Sequence, residues 1–121
     1  MDNAATTALK PQVFEKMKPY FMENYANPSA VYGFAQEAKA AVEDARDSIA
    51  GLIGARANEI YFTGGGSESD NWAIKAAAIA LKEKGNHIIT SKIEHHAILH
   101  TCQFLEKNGF EVTYLDVDSD G

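Results

Sequence analysis

Two short segments carry residue types that chemistry requires. The first is Phe62-Thr63-Gly64-Gly65-Gly66-Ser67-Glu68-Ser69-Asp70-Asn71. Glycines let a backbone turn tightly and approach a ligand closely. A helix opening at Ser67 would offer free N–H groups and a dipole that favour an anion, and Ser67 would add a hydroxyl donor. The segment reads as a phosphate cradle. It is not a P-loop, because no Gly-Lys-Ser/Thr follows at the required spacing. It is not the dinucleotide fingerprint either: Gly64-x-Gly66 is present, but Ser69 occupies the position that needs glycine or alanine. The same residues also fit an ordinary helix start, capped by Ser67 or Ser69 with acidic residues in the first turn. The two readings are compatible.

The second segment is Glu94-His95-His96. A histidine at the carboxyl end of a strand could stack on a flat ring or move a proton. A solvated loop histidine is the plainer alternative. His96 and His100 are spaced i, i+4 and would share a helix face. That pair makes a metal-binding module conceivable, but the His-Glu-x-x-His pattern is missing, and no metal site is expected. Cys102 is the single cysteine. It reads as a small buried apolar residue. A disulfide within the chain and a cysteine-rich zinc site are excluded.

The elements that would position these residues alternate between helix and strand. A first helix starts at Pro11, since proline suits the first helical position; Val13, Met17, Tyr20 and Phe21 follow at helical spacing, and Pro19 should weaken or kink it. Asn24–Ser29 reads as a loop. In the second helix Ala35, Ala38, Val42, Ala45 and Ile49 form one apolar stripe, and Gly51 and Gly54 bracket its end. Glu59–Thr63 is short and rich in β-formers, which predicts a strand. A third helix runs from Ser67 to Lys84, a strand covers His87–Thr90, a fourth helix covers Ala97–Lys107, and a strand covers Phe110–Val117. Strands joined by crossover helices give an α/β fold with parallel pairing. Three strands make an open sheet with exposed edges, which points to part of something larger.

The chain has 121 residues, enough for one domain. Its net charge of −6 and pI near 5.1 argue against nucleic-acid binding, which needs clustered positive charge. With 45% hydrophobic and 23% charged residues the chain is not expected to be disordered. Its apolar runs are too short for a membrane span. No secretory signal is visible at Met1–Thr6, and a reducing cytoplasmic setting is expected.

Several segments occur in series: Asp2–Thr7, Asn27-Pro28-Ser29, Glu59–Thr63, Gly65–Asn71 with Ala73-Ile74-Lys75, His87–Ser91 with Glu94-His95, and Gly109–Leu115. Their order and spacing closely resemble the N-terminal part of cysteine desulfurases, pyridoxal-phosphate enzymes of the class V aminotransferase group. The resemblance spans essentially the whole chain. It implies a fold-type I α/β large domain with a mostly parallel sheet and crossover helices. Residues 1–32 would form an N-terminal arm and first helix, and residues 33–121 the first, incomplete part of the cofactor-binding domain. Gly66 and Ser67 match the Ala-Thr pair that binds the phosphate of pyridoxal 5′-phosphate. His95 matches the histidine that stacks on the pyridine ring and does acid–base work. Asn3–Thr7 match a segment near the active site of the family's homodimer. Tyr32 and Ala35 depart from the histidine and glycine often found there, which bears on the subgroup.

The resemblance further implies conversion of L-cysteine to L-alanine, with sulfur passing through an enzyme persulfide to an acceptor or iron–sulfur scaffold protein. The Schiff-base lysine, the persulfide cysteine and the substrate-carboxylate arginine of the family lie beyond position 121, and Cys102 matches none of them. The chain alone is therefore expected to be an inactive N-terminal fragment with marginal stability. Selenocysteine lyase, another class V enzyme and a short non-catalytic anion-binding module remain as alternatives.

Overall fold

The computed structural model describes residues 5–121. The chain divides into two compact units, residues 1–61 and 62–121.

The first unit is helical. Helix α1 spans Pro11–Met22, with Pro11 in its first turn, and it continues through Pro19. Among the described residues it buries no side chain fully. The loop that follows is shaped by Asn27, whose Oδ1 accepts the Ser29 N–H at 2.9 Å. Tyr25 meets Phe34 edge-on, with ring centroids 5.5 Å apart. Helix α2 spans Gly33–Ile53. Of the expected stripe, Ala35 and Ala38 are buried and Val42 is half-buried, whereas Ala45 and Ile49 are exposed and Ala50 is buried instead. Gly54 ends the helix in the left-handed region at φ 69°, and the Ala55 N–H reaches back to the Ala50 carbonyl at 2.9 Å. Glycine adopts that conformation without the steric cost of a Cβ.

Among the described residues, the strand expected at Glu59–Thr63 does not form. Ala57–Glu59 is a single 3-10 turn, and residues 60–63 are not part of a ladder. The reason is local. The Glu59 carboxylate folds back to accept the Arg56 N–H at 2.8 Å and the Arg56 guanidinium at 2.9 Å, which closes the turn. The Arg46 guanidinium donates to the Ile60 carbonyl, drawing on an acceptor that a ladder would use.

The second unit carries the α/β pattern. Helix α3 spans Gly66–Ala80, strand β1 His87–Ser91, helix α4 His96–Glu106 and strand β2 Glu111–Leu115. The two strands pair in parallel, with His87 opposite Glu111 and Ser91 opposite Leu115. Helix α4 is the crossover that parallel pairing demands. It closes on Gly109 at φ 88°, with the Phe110 N–H bonded to the Leu105 carbonyl at 3.1 Å. The core of this unit is small: Thr101, Cys102, Leu105 and Phe110 are buried. Many large apolar side chains stay exposed, among them Trp72, Ile79, Ile89 and Ile93. An apolar groove of about 330 Å³ lies open between α3 and the start of β1, lined by Ile74, Ala77, Ala78, Leu81, Ile88 and Phe110. Among the described residues no helix is long and apolar enough to cross a membrane.

Thr101 is 2% exposed and its Oγ1 has no hydrogen-bond partner among the described residues. A buried hydroxyl without a partner costs about 1–3 kcal/mol. Thr101→Val keeps the shape and removes that cost, so it should stabilise the chain by about 1 kcal/mol. A urea unfolding midpoint that rises checks this; one that falls contradicts it.

Candidate functional site

Sequence order within the second unit decides which end of it can hold a ligand. Helix α3 runs toward the start of β1, and α4 leaves from the end of β1. The Lys75 ammonium lies 4.6 Å from the centre of the Phe104 ring, joining the C-terminal halves of α3 and α4. The two helices therefore run in the same direction, with both N-termini at the carboxyl end of the strands. That end is where ligands gather in open parallel sheets. Gly66 and Ser67 stand at the start of α3, and His95 at the start of α4.

The start of α3 differs from the sequence expectation in one respect. The helix opens one residue before Ser67, so Gly65 occupies the cap position and makes no side-chain cap. Neither Ser67 nor Ser69 is the cap residue. Ser67 is the second helical residue, and its hydroxyl makes no hydrogen bond among the described residues. The first intrahelical bond is Ser69 N–H to the Gly65 carbonyl, 3.1 Å. The N–H groups of Gly66, Ser67 and Glu68 precede it and are outside the helical ladder. A Cβ built at Gly66 meets nothing within 4 Å, so the approach is open. Three backbone donors, a hydroxyl and the positive end of a helix dipole suit a phosphate group.

The glycine turn is held from the helix side. The Glu68 carboxylate accepts the Gly64 N–H at 2.6 Å. Thr63 Oγ1 lies 2.6 Å from Ser69 Oγ and donates to the Gly65 carbonyl at 3.2 Å. Sequence reading placed Glu68 only as a first-turn acid. The signal for more was present, since a glutamate at the third helical position is the residue that reaches back to an exposed backbone N–H.

His95 is exposed and caps α4. Its Nδ1 accepts the Ala97 N–H at 3.1 Å. In the neutral ring the proton therefore sits on Nε2. Before it, Ser91 donates to the Glu94 carboxylate at 3.1 Å, and the Lys92 ammonium meets Asp116 at 2.6 Å, tying the end of β1 to the residue after β2. His96 and His100 stack with ring centroids 5.6 Å apart and planes 9° apart. Among the described residues no group of three or more histidines, cysteines or acids could hold a metal ion. Of the segment Asn3–Thr7, Asn3 and Ala4 lie outside the described residues.

Cys102 is 1% exposed in α4. Burial pushes its thiol up, and the carboxylates of Glu106 and Glu94 add to that. The Tyr114 hydroxyl is likewise pushed up to about 12, by burial and by its hydrogen bond to Glu106 at 3.0 Å.

The model of the family described as aminotransferase class-V matches residues 1–121. The chain is a member of the class-V aminotransferases. Among curated relatives, the cysteine desulfurase IscS of Clostridium botulinum (strain Hall) is 61% identical over 121 residues, which cover all of this chain and 30% of that protein. Among solved structures, a NifS-like protein superposes with a TM-score of 0.88 at 40% identity, over 98% of this chain and 32% of its own. A structure described as SspA in complex with cysteine gives 0.85 at 49% identity, over 94% and 33%. The class-V chain thus spans about 30% of the length of the curated relatives it matches. The expected α/β fold with parallel pairing is the fold of these neighbours.

A buried thiol pushed upward is a poor nucleophile. Cys102 in this class-V chain should react with a disulfide reagent at least about 100-fold more slowly in the native state than in denaturant. Equal rates would show that Cys102 is accessible and would contradict its burial.

Proposed function

We propose that this chain supplies the phosphate cradle and the ring-stacking histidine of a pyridoxal-phosphate-dependent cysteine desulfurase. The observation that carries the reading is that Gly66 and Ser67 open α3 and His95 caps α4, the helix that leaves the carboxyl end of β1. The similarity to proteins named cysteine desulfurase supports it over the full chain length. The structural likeness to a protein seen with cysteine supports L-cysteine as the substrate.

In this reading the N–H groups of Gly66 and Ser67 and the Ser67 hydroxyl take the cofactor's phosphate oxygens. The helix dipole of α3 adds a favourable field for the same charge. His95 would lie against the face of the cofactor ring. Its Nδ1 is committed to the Ala97 N–H, so the ring is fixed at the helix start and Nε2–H is left as a hydrogen-bond donor. The cofactor, when bound, supplies an electron sink for the amino acid substrate. Cys102 takes no part, being buried and without access to a substrate. Residues 33–121 form the first part of the cofactor-binding domain, and residues 1–32 an arm and helix that precede it. The whole protein acts as a cytoplasmic homodimer. It releases alanine and passes sulfur to an acceptor protein.

The test is made in the whole gene product. Ser67→Ala removes one donor to the phosphate, worth about 1 kcal/mol or roughly fivefold in affinity. Cofactor retained after dialysis, read from its absorbance, should fall accordingly. Unchanged retention would show that Ser67 does not hold the phosphate.

A further inference from the structure

The acid beside the proposed phosphate site poses a question of sign. Glu68 follows Ser67 directly, and a carboxylate there repels a phosphate. Its Oε2, however, lies 2.6 Å from the Gly64 nitrogen, where it accepts the backbone N–H. An ionised acceptor makes a short, strong hydrogen bond of this kind. The bond spans the glycine turn from the first turn of α3 to the residue that opens it. The fit is close: a Cβ at Gly64 would stand 3.2 Å from the same oxygen, whereas a Cβ at Gly65 or Gly66 would meet nothing within 4 Å. The turn is thus filled on the Glu68 side and open on the side of Gly66.

Three consecutive glycines lose much conformational freedom when they are ordered, and ordering them costs a ligand affinity. The Thr63–Ser69 hydroxyl pair and the Thr63 bond to the Gly65 carbonyl hold the turn at the same place. We propose that Glu68 is a positioning residue, whose carboxylate clasps the Gly64 N–H and holds the glycine turn in the shape in which Gly66 and Ser67 receive the phosphate. The proposal rests on the reading of Gly66 and Ser67 given above. It states that preorganisation outweighs the repulsion of the carboxylate.

The test compares the whole gene product, freed of its cofactor, with its Glu68→Ala and Glu68→Gln variants in titrations with pyridoxine 5′-phosphate and with pyridoxine. Neither probe carries the aldehyde that would form imines with surface lysines. The wild type should bind the phosphate ester more tightly than the alcohol. Glu68→Ala should weaken binding of the ester about tenfold, with the alcohol unaffected. Glu68→Gln keeps an oxygen acceptor for the Gly64 N–H and should stay within about threefold of the wild type. If the wild type does not distinguish ester from alcohol, the cradle reading falls, and this proposal with it. If the wild type distinguishes them but Glu68→Ala binds the ester equally or more tightly, only the role of Glu68 falls. Where Glu68→Ala fails to fold, Glu68→Gln decides: tightening of about tenfold or more would show that removing charge outweighs holding the turn.

Discussion

The parallel pairing of β1 with β2 constrains everything else in residues 62–121. Parallel strands cannot be joined by a hairpin, so the chain between them must cross over, and α4 is that crossover. A crossover helix starts where the first strand ends. Helix α3, which feeds the start of β1, must then run opposite to the strands and parallel to α4. Two helix N-termini arrive at one edge as a consequence of connectivity. The glycine turn and His95 stand at those two N-termini, which is why residues 29 positions apart in sequence can serve one ligand.

At each N-terminus the backbone donors are treated differently. At α4, His95 spends Nδ1 on the Ala97 N–H, which fixes the ring and leaves Nε2 to act. At α3, the cap position is glycine and offers no side chain, so the early N–H groups remain outside the helical ladder. The glutamate that could have capped them reaches past them to Gly64. One helix start is closed by a side chain and the other is held open, and that difference suits a ring beside one and an anion at the other.

Much of this was legible in the sequence. Proline at the first helical position, glycine just past helix ends and the apolar runs of β1 and β2 mark elements whose local preferences agree with the fold. The glycine turn and His95 were visible as candidates from their residue types and their place after β-rich runs. Four features were not legible. Glu59–Thr63 has strand composition, but composition cannot say whether a neighbour will pair with it, and the Arg56–Glu59 bonds close a turn there instead. Ser67 and Ser69 look like caps because serine caps helices, yet the helix opens one residue earlier and passes the cap to Gly65. The clasp from Glu68 to Gly64 depends on the path of the turn, which spacing alone does not give. The predicted stripe of α2 also holds only in its first half, where Ala35 and Ala38 are buried.

The proposed site requires that one ligand be shared by the starts of α3 and α4. Amide chemical shifts of the isotope-labelled chain, followed as pyridoxine 5′-phosphate is added, test it most directly. The account predicts that shifts concentrate at Gly64–Glu68 and at His95–Ala97, and that both sets saturate together. Saturation at different concentrations, or shifts confined to other parts of the chain, would contradict it.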